Sequence, residues 1–272
     1  MITGGLDLGT GSTKGVLLED GHQVLITGIE PSRGNPVEAG RRVLEQMVED
    51  ANVLPDEIDY LCTTGAARYM YPDRHLQVSD ITASARGAVF LFPNTRHVVD
   101  IGSQSSRAVS VSETGRVVRF RLNEKCAAGA GRFVDRCAKY LQVPMDEMSP
   151  KALAAAHPKI ISSVCAVLAE TEIINNVSDG IPLSDILMGV FLSLAQRAHV
   201  LMRNVGIQPE VTLVGGLVHS EAMARALEQT AMTPVNVDLK SHHAAAIGAA
   251  MLGHSRLIKL GHRPVALAAA PG

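Results

Sequence analysis

Aromatic residues and net charge are both scarce in this 272-residue chain. It contains no tryptophan, aromatic residues make up 3% of the sequence, and 25 basic residues nearly balance 27 acidic ones. Proteins that bind nucleic acids or charged membranes use clustered positive charge, and binding of single strands also needs aromatic platforms for the bases. The composition therefore argues against a nucleic-acid or membrane-surface partner.

Long apolar runs and a secretory leader are missing as well. The chain enters strand-like sequence at once, without a basic segment followed by an apolar one. No apolar run approaches the roughly 20 residues that span a bilayer. We therefore expect no membrane segment and a cytoplasmic location.

Cysteine is rare, with Cys62, Cys126, Cys137 and Cys165 as the full set. So few cysteines in a large intracellular chain argue against a disulfide framework and leave packing, a reactive thiol or metal ligation. Cys62 lies in a strand pattern and Cys137 on an apolar helical stripe, which favours packing for both. Cys126 precedes a helix, where a thiolate is stabilised. Cys126 and Cys165 alone would half-fill a tetrahedral metal site, unless a second subunit completed it.

The most informative stretch is a glycine-rich turn between two apolar strands at residues 5–18. Its backbone N–H groups can surround a phosphate, and Asp7 at the strand end can hold a hydrated magnesium ion. The phosphate-binding candidates are Gly9, Thr10, Gly11, Ser12, Thr13 and Lys14. The spacing is not that of a Walker A loop, and an ordinary β-hairpin is the structural alternative.

This pattern returns once, 93 residues further along the chain. Asp7, Gly9, Ser12 and Lys14 recur as Asp100, Gly102, Ser105 and Arg107. Both copies continue through a hairpin into a further strand, and such internal similarity indicates two related subdomains. We expect each subdomain to present one turn to a shared cleft. There the two aspartates can clamp a nucleotide's phosphates and magnesium, and one can position the attacking water.

The remaining segments alternate between strand and helix patterns, which predicts an α/β protein. The first three strands should form an antiparallel meander, and a short strand follows near Tyr60. The predicted helices begin at an Asn35 cap, open at residues 123–133, run from about Ile160 to Val177, and run from a Ser184 cap to Gly206.

The last part of the chain predicts a strand at residues 211–214 that ends in Gly215-Gly216, where adenine can pack on the backbone. A helix from about Ser220, a strand at residues 235–237 and a helix over residues 244–252 follow. Small residues of that last helix, such as Gly248, should allow close packing between subdomains. His242 and His243 are potential metal ligands without an evident third.

The paired turns and the late Gly-Gly resemble the phosphate-1, phosphate-2 and adenosine elements of the actin, Hsp70 and sugar-kinase ATPase superfamily. This resemblance implies an α/β fold with two duplicated RNase H-like subdomains around a nucleotide cleft. Subdomain I would contain residues 1–95 and about 242–258, and subdomain II residues 96–241, followed by a tail at 259–272.

Two cysteine motifs, at residues 125–133 and 162–172, resemble those of the activator ATPases of 2-hydroxyacyl-CoA dehydratases and the ATPase subunits of benzoyl-CoA reductases. The likeness runs from about Leu6 to Leu252 and is greatest to the small benzoyl-CoA reductase ATPase subunit. It implies that Cys126 and Cys165 join their counterparts in a second ATPase subunit to hold one [4Fe-4S] cluster. Cys62 and Cys137 do not match ligand positions.

The same resemblance assigns the nucleotide site. It implies ATP or ADP with Mg²⁺, and gives Asp7, Asp100 and Gln104 the magnesium and water roles. Further nucleotide contacts are implied at Gly102, Ser103, Gly129, Gly131, Gly215 and Gly216. The chain departs from the family by lacking the acidic residue at Ser105, and by having Ala83 to Ala88 in place of a Cys-His-Ala-Arg-Gly-Ala stretch.

The function implied is an ATP-hydrolysing subunit that passes low-potential electrons to iron–sulfur catalytic subunits of a benzoyl-CoA reductase, which act on a CoA ester. A homodimeric activator of a 2-hydroxyacyl-CoA dehydratase is the alternative within the family. A small-molecule kinase and an actin-like scaffold on the same fold are alternatives of other classes.

Overall fold

The structure is a computed structural model that describes residues 1–123 and 130–261. It divides into two compact units. Unit 1 consists of Met1–Pro93, Ser112–Val117 and His243–Gly272, and unit 2 of Asn94–Val111 and Val118–His242.

Unit 1 is built on a five-stranded sheet with the order β3-β2-β1-β4-β5. The strands are β1 (Ile2–Leu8), β2 (Ser12–Glu19), β3 (Gln23–Pro31), β4 (Ile58–Thr64) and β5 (Leu76–Gln77). The first three form the predicted antiparallel meander, and β4 pairs with β1 in parallel. Asp20 and Gly21 at the β2–β3 hairpin have the positive φ values that a tight hairpin turn requires.

Three helices cover this sheet: α1 (Pro36–Asp50), α2 (Asp80–Leu91) and α8 (Ala244–Lys259). Asn35 caps α1 as predicted, because its side chain accepts a hydrogen bond from the Glu38 N–H. Helix α8 extends beyond the expected end at Leu252. Gly248 lets α8 pack closely on α2 within unit 1, because a Cβ there would overlap the Ala83 carbonyl oxygen.

Unit 2 repeats the sheet of unit 1. Its strands are β6 (His97–Ile101), β7 (Ser106–Val111), β8 (Val117–Asn123), β9 (Val211–Gly215) and β10 (Val235–Asn236), in the order β10-β9-β6-β7-β8. β6 pairs antiparallel with β7 and parallel with β9, as β1 pairs with β2 and β4. The two sheets therefore have the same strand order, and the duplication extends to all five strands.

The helices of unit 2 are α3 (Gly131–Leu141), α4 (Met145–Leu153), α5 (Ala166–Ser178), α6 (Leu183–Val205) and α7 (Glu221–Ala231). Ser220 caps α7, and Gly206 ends α6 with a φ of 84°, both as predicted. Ser184 is not a cap, because Pro182 holds that position and Ser184 lies inside the first turn. The helix expected from Ile160 begins only at Ala166.

Helix α6 corrects the expectation about apolar length. Its 23 residues make it long and apolar enough to cross a membrane, but 72% of its most apolar stretch is buried inside the protein. Phe191 and Leu194 belong to the main hydrophobic core of unit 2. Its apolar surface is therefore explained by the packing of a core helix.

Candidate functional site

The first turn places a carboxylate beside a cation. Asp7 on β1 pairs in register with Lys14 on β2, and Lys14 Nζ lies 3.4 Å from Asp7 Oδ2. Their side chains are only 15% and 11% exposed, so the pair is screened less than a surface ion pair. Gly9 donates its N–H to the Asp7 carbonyl oxygen at 3.0 Å and turns the chain directly after the strand.

Ser32, which the sequence did not single out, holds the carbonyl groups of this turn. Its hydroxyl donates to the Gly9 carbonyl at 2.6 Å, and its N–H donates to the Gly11 carbonyl at 3.0 Å. Thr13 is buried and bonds to Ser32 and to the Pro36 carbonyl, each at 3.2 Å. Thr10 and Gly11 are exposed and Ser12 is partly exposed. No local sequence signal indicates this role, because the pairing of Ser12 with Pro31, which brings the next residue, Ser32, to the turn, is known only from the structure.

The second turn has the same construction in unit 2. Asp100 pairs in register with Arg107, whose Nη1 lies 3.1 Å from Asp100 Oδ2. Gly102 donates to the Ser105 carbonyl at 2.9 Å and closes the turn. Both aspartates therefore stand at the end of a central strand, each oriented by a cation on the neighbouring strand.

A glycine at the end of the next parallel strand, or directly after it, approaches each aspartate. Gly65 has a φ of +88°, and a Cβ there would lie 2.5 Å from Asp7 Oδ1. Gly215 has a φ of +93°, and its Cβ would lie 2.8 Å from Asp100 Oδ1. Gly215 was predicted to contact adenine, whereas its equivalence to Gly65 is apparent only from the structure. Gly216 follows Gly215 in a short 3-10 turn, with open space where its side chain would be.

The second turn is joined directly to the start of α3. Gly131 donates its N–H to the Gly102 carbonyl at 2.9 Å, and Arg132 donates its N–H to the Ser103 carbonyl at 3.0 Å. With its amide oxygen turned toward α3, Gln104 accepts from the Arg132 guanidinium at 2.9 and 3.2 Å. The predicted site residues Cys126 and Gly129 lie outside the described residues.

Cys165 is the N-cap residue of α5 and is partly exposed. The backbone N–H groups of Leu168 and Val167 lower the pKa of its thiol by hydrogen bonding, which favours the thiolate. Cys62 and Cys137 are buried, and burial raises the pKa of each thiol to about 12. Both therefore pack as predicted, whereas the Cys165 thiol is partly exposed and its pKa is lowered.

The described part of one chain does not complete a metal centre. Over residues 1–123 and 130–261, no group of three or more His, Cys, Asp or Glu side chains could hold a metal ion. His242 instead forms a 2.7 Å hydrogen bond with His219, whose ring meets it edge to face. A cluster bound to Cys165 would accordingly need further thiolates from outside the described residues. The Cys165 side chain, a partly exposed thiol with a lowered pKa, fits such a group.

The chain is similar to known proteins along nearly its whole length. Residues 5–253 match the model of the BadF/BadG/BcrA/BcrD ATPase family. One of the subunits of the Thauera aromatica benzoyl-CoA reductase is 35% identical over 282 residues, covering 98% of this chain and 99% of that protein. The 2-hydroxyisocaproyl-CoA dehydratase activator of Clostridioides difficile is 34% identical over 251 residues, covering 92% and 94%.

Solved structures with the same arrangement of elements identify the fold of this chain. The structure of the C. difficile activator with bound ADPNP has a TM-score of 0.91 at 32% identity and covers 99% of this chain and 100% of that one. A ROK family glucokinase from Streptomyces griseus and MreB 5 of Spiroplasma citri each give a TM-score of 0.57 at 13% identity, which shows the actin- and sugar-kinase-like fold alone. With nearly its whole length matched, the chain belongs to the BadF/BadG/BcrA/BcrD ATPase family.

Proposed function

We propose that this ATPase drives low-potential electron transfer to a partner that reduces a CoA ester. One observation carries the proposal. In unit 2 the Asp100 turn is hydrogen-bonded to the start of α3, the helix that directly follows the segment containing Cys126. A change at the nucleotide would thus reach a cysteine segment without passing through any other element.

Asp7 and Asp100 would each act as a ligand for hydrated magnesium, and Lys14 and Arg107 orient the two carboxylates. The N–H groups of residues 10–12, 103 and 129 would bind phosphate oxygens, since those of Gly9, Gly102 and Gly131 are already donated to carbonyl groups of the turns. Gly215 and Gly216 would face the adenosine, and Gln104 would orient the attacking water. The bound ADPNP of the C. difficile activator supports ATP as the nucleotide.

Cys126 and Cys165 would hold a [4Fe-4S] cluster together with the two corresponding cysteines of a second ATPase subunit, which is identical or homologous to this chain. The surface around Cys165 supports such a second chain, since Val164 is 81%, Val167 67% and Leu168 54% exposed. Exposed apolar residues grouped at one helix start are typical of an interface. When bound, the cluster would supply one-electron transfer at a low potential.

The relatives support a catalytic partner that acts on a CoA ester. One belongs to a benzoyl-CoA reductase and another activates 2-hydroxyisocaproyl-CoA dehydratase, at 35% and 34% identity. These nearly equal identities keep a homodimeric dehydratase activator as the second candidate. The kinase alternative has only a fold-level likeness at 13% identity behind it.

Protein purified without oxygen should contain iron and acid-labile sulfide and show broad visible absorption. Cys165→Ser should remove most of the iron because it removes a thiolate ligand, whereas Cys62→Ala, which changes a buried packing residue, should retain it. A colourless, iron-free wild-type protein with full ATPase activity would overturn the cluster assignment. Identification of the proteins that co-purify from the native source would then distinguish a reductase from a dehydratase system.

A further inference from the structure

Residues 157–165, here called the Cys165 loop, are fixed in place by side chains of α6. His157 donates its N–H to the Asp185 carboxylate at 2.9 Å, and Lys159 donates its N–H to the Asp185 carbonyl at 3.0 Å. A Cβ on Gly189 would lie 2.3 Å from the Lys159 carbonyl, so the loop runs directly on the helix surface. The position of Cys165 is therefore set from α6 as well as by its own helix.

Arg197 is the main contact at the thiol end of this loop. Its side chain is buried, at 8% exposure. Its Nε donates to the Ser163 carbonyl at 2.7 Å, and its Nη2 donates to the Ser162 carbonyl at 2.8 Å. The Ser193 hydroxyl donates to the same Ser162 carbonyl, also at 2.8 Å. Two successive carbonyl groups, two and three residues before Cys165, are thus held by one planar guanidinium.

The same guanidinium packs on α3. Its central carbon lies 4.9 Å from the centre of the Phe133 ring, in the geometry of a cation–π contact. Phe133 is fully buried and is the third residue of α3. The two residues before it, Gly131 and Arg132, are those that donate to the Asp100 turn. Arg197 therefore connects the Cys165 loop to the helix start that is bonded to the turn.

We propose that Arg197 is a positioning residue that makes the Cys165 loop move with α3, and through α3 with the Asp100 turn. The inference rests on the proposed function for the nucleotide and the thiolate ligand, while the contacts themselves stand independently. Lysine cannot replace arginine here, because an ammonium group has no planar fork for two successive carbonyls and stacks less well on a ring.

Hydrogen exchange measured by mass spectrometry tests this on the full-length protein purified without oxygen. Wild type is compared with Arg197→Lys and with Arg203→Lys, which changes an exposed arginine of the same helix. Without nucleotide, amides of residues 162–168 should exchange roughly tenfold faster in Arg197→Lys, since a hydrogen bond to a charged group contributes stability of that order. Exchange in Arg203→Lys should equal that of wild type.

The second arm adds MgADP. In wild type the nucleotide should change exchange at residues 162–168, and in Arg197→Lys this response should be lost while exchange at the Asp100 turn still changes. If Arg197→Lys fails to fold, Phe133→Leu replaces it, because it keeps an apolar side chain and removes the ring beneath the guanidinium.

Unchanged loop exchange in Arg197→Lys would overturn the positioning role, and a nucleotide response that persists in that variant would overturn the coupling. If MgADP alters nothing anywhere in wild type, the nucleotide assignment of the proposed function fails instead. The nucleotide-free arm still decides whether Arg197 positions the loop in that case.

Discussion

At the scale of single residues, the two aspartates share one environment. Each lies at the end of a central strand, with a cation in register on the next strand and a positive-φ glycine against one carboxylate oxygen. Because this set of neighbours is the same in both units, we expect Asp7 and Asp100 to have related roles. Their replacement is accordingly the most informative single change.

Asp100→Asn keeps the size of the side chain and removes its charge. We expect the ATPase kcat to fall by roughly a hundredfold or more, because a metal ligand and the partner of Arg107 are lost together. The measurement is steady-state phosphate release over a range of Mg²⁺ concentrations. Asp146→Asn, an exposed change in α4, should retain the wild-type rate. Equal rates in the two variants would remove Asp100 from the site.

Gly65→Ala tests the close approach to Asp7. A methyl group there would displace the carboxylate, so the dissociation constant for MgATP should rise by roughly tenfold or more. Gly34→Ala is the matched control, since Gly34 also has a positive φ, +84°, but nothing within 4 Å of its Cβ position. Both variants carry the same backbone strain, of about 1 kcal/mol. A nucleotide affinity reduced equally in both would contradict a specific role for Gly65.

Protonation of His97 should make the free energy of unfolding depend on pH. It is completely buried at the start of β6, and burial lowers its pKa to about 4. In the unfolded chain the group titrates near 6.5, so between about pH 6.5 and pH 4 the unfolded state binds the extra proton. The free energy of unfolding should therefore fall by about 3 kcal/mol as the pH drops through this range. Denaturant titrations at several pH values should show a shallower fall in His97→Phe than in wild type, and identical slopes would contradict this.

At the scale of elements, local chemistry predicted the ends of some helices and failed at others. Asn35 and Ser220 cap their helices through bonds to residues three positions along the chain, which a sequence pattern contains. The start of α5 is different. The segment from Ile160 has a helical pattern, but the Ser162 N–H is taken by the Glu172 carboxylate and the Ser162 and Ser163 carbonyls by Arg197. These distant partners delay the helix to Ala166 and could not be predicted from local sequence.

The exposed start of α5 predicts an assembly that a single change can weaken. Val167→Glu places a charge on a residue that is 67% exposed, so the chain should fold while association with a second chain weakens by roughly tenfold or more. Sedimentation velocity across a concentration series measures this. Ile160→Glu, at a residue 90% exposed but outside α5, should have little effect. Equal association in both variants would place the interface elsewhere.

At the scale of the whole molecule, the duplication was visible in the sequence only in part. The constant offset of 93 residues predicted the first three strands of each sheet, because no insertion interrupts them. The offset did not extend to β4 and β9, or to Gly65 and Gly215, because unit 2 has α3 to α6 between its third and fourth strands, where unit 1 has α1. Family membership was recognisable from the two cysteine motifs. The hydrogen bonds between the Asp100 turn and α3 could be found only in the structure.

The most direct test of a cluster shared between two ATPase chains is native mass spectrometry, with oxygen excluded during both purification and measurement. We expect a species with the mass of two ATPase chains and about four iron and four sulfide atoms, which dissociates into iron-free single chains when Cys165 is changed to serine. If wild-type protein hydrolyses ATP but is detected only as iron-free single chains, the shared cluster is contradicted.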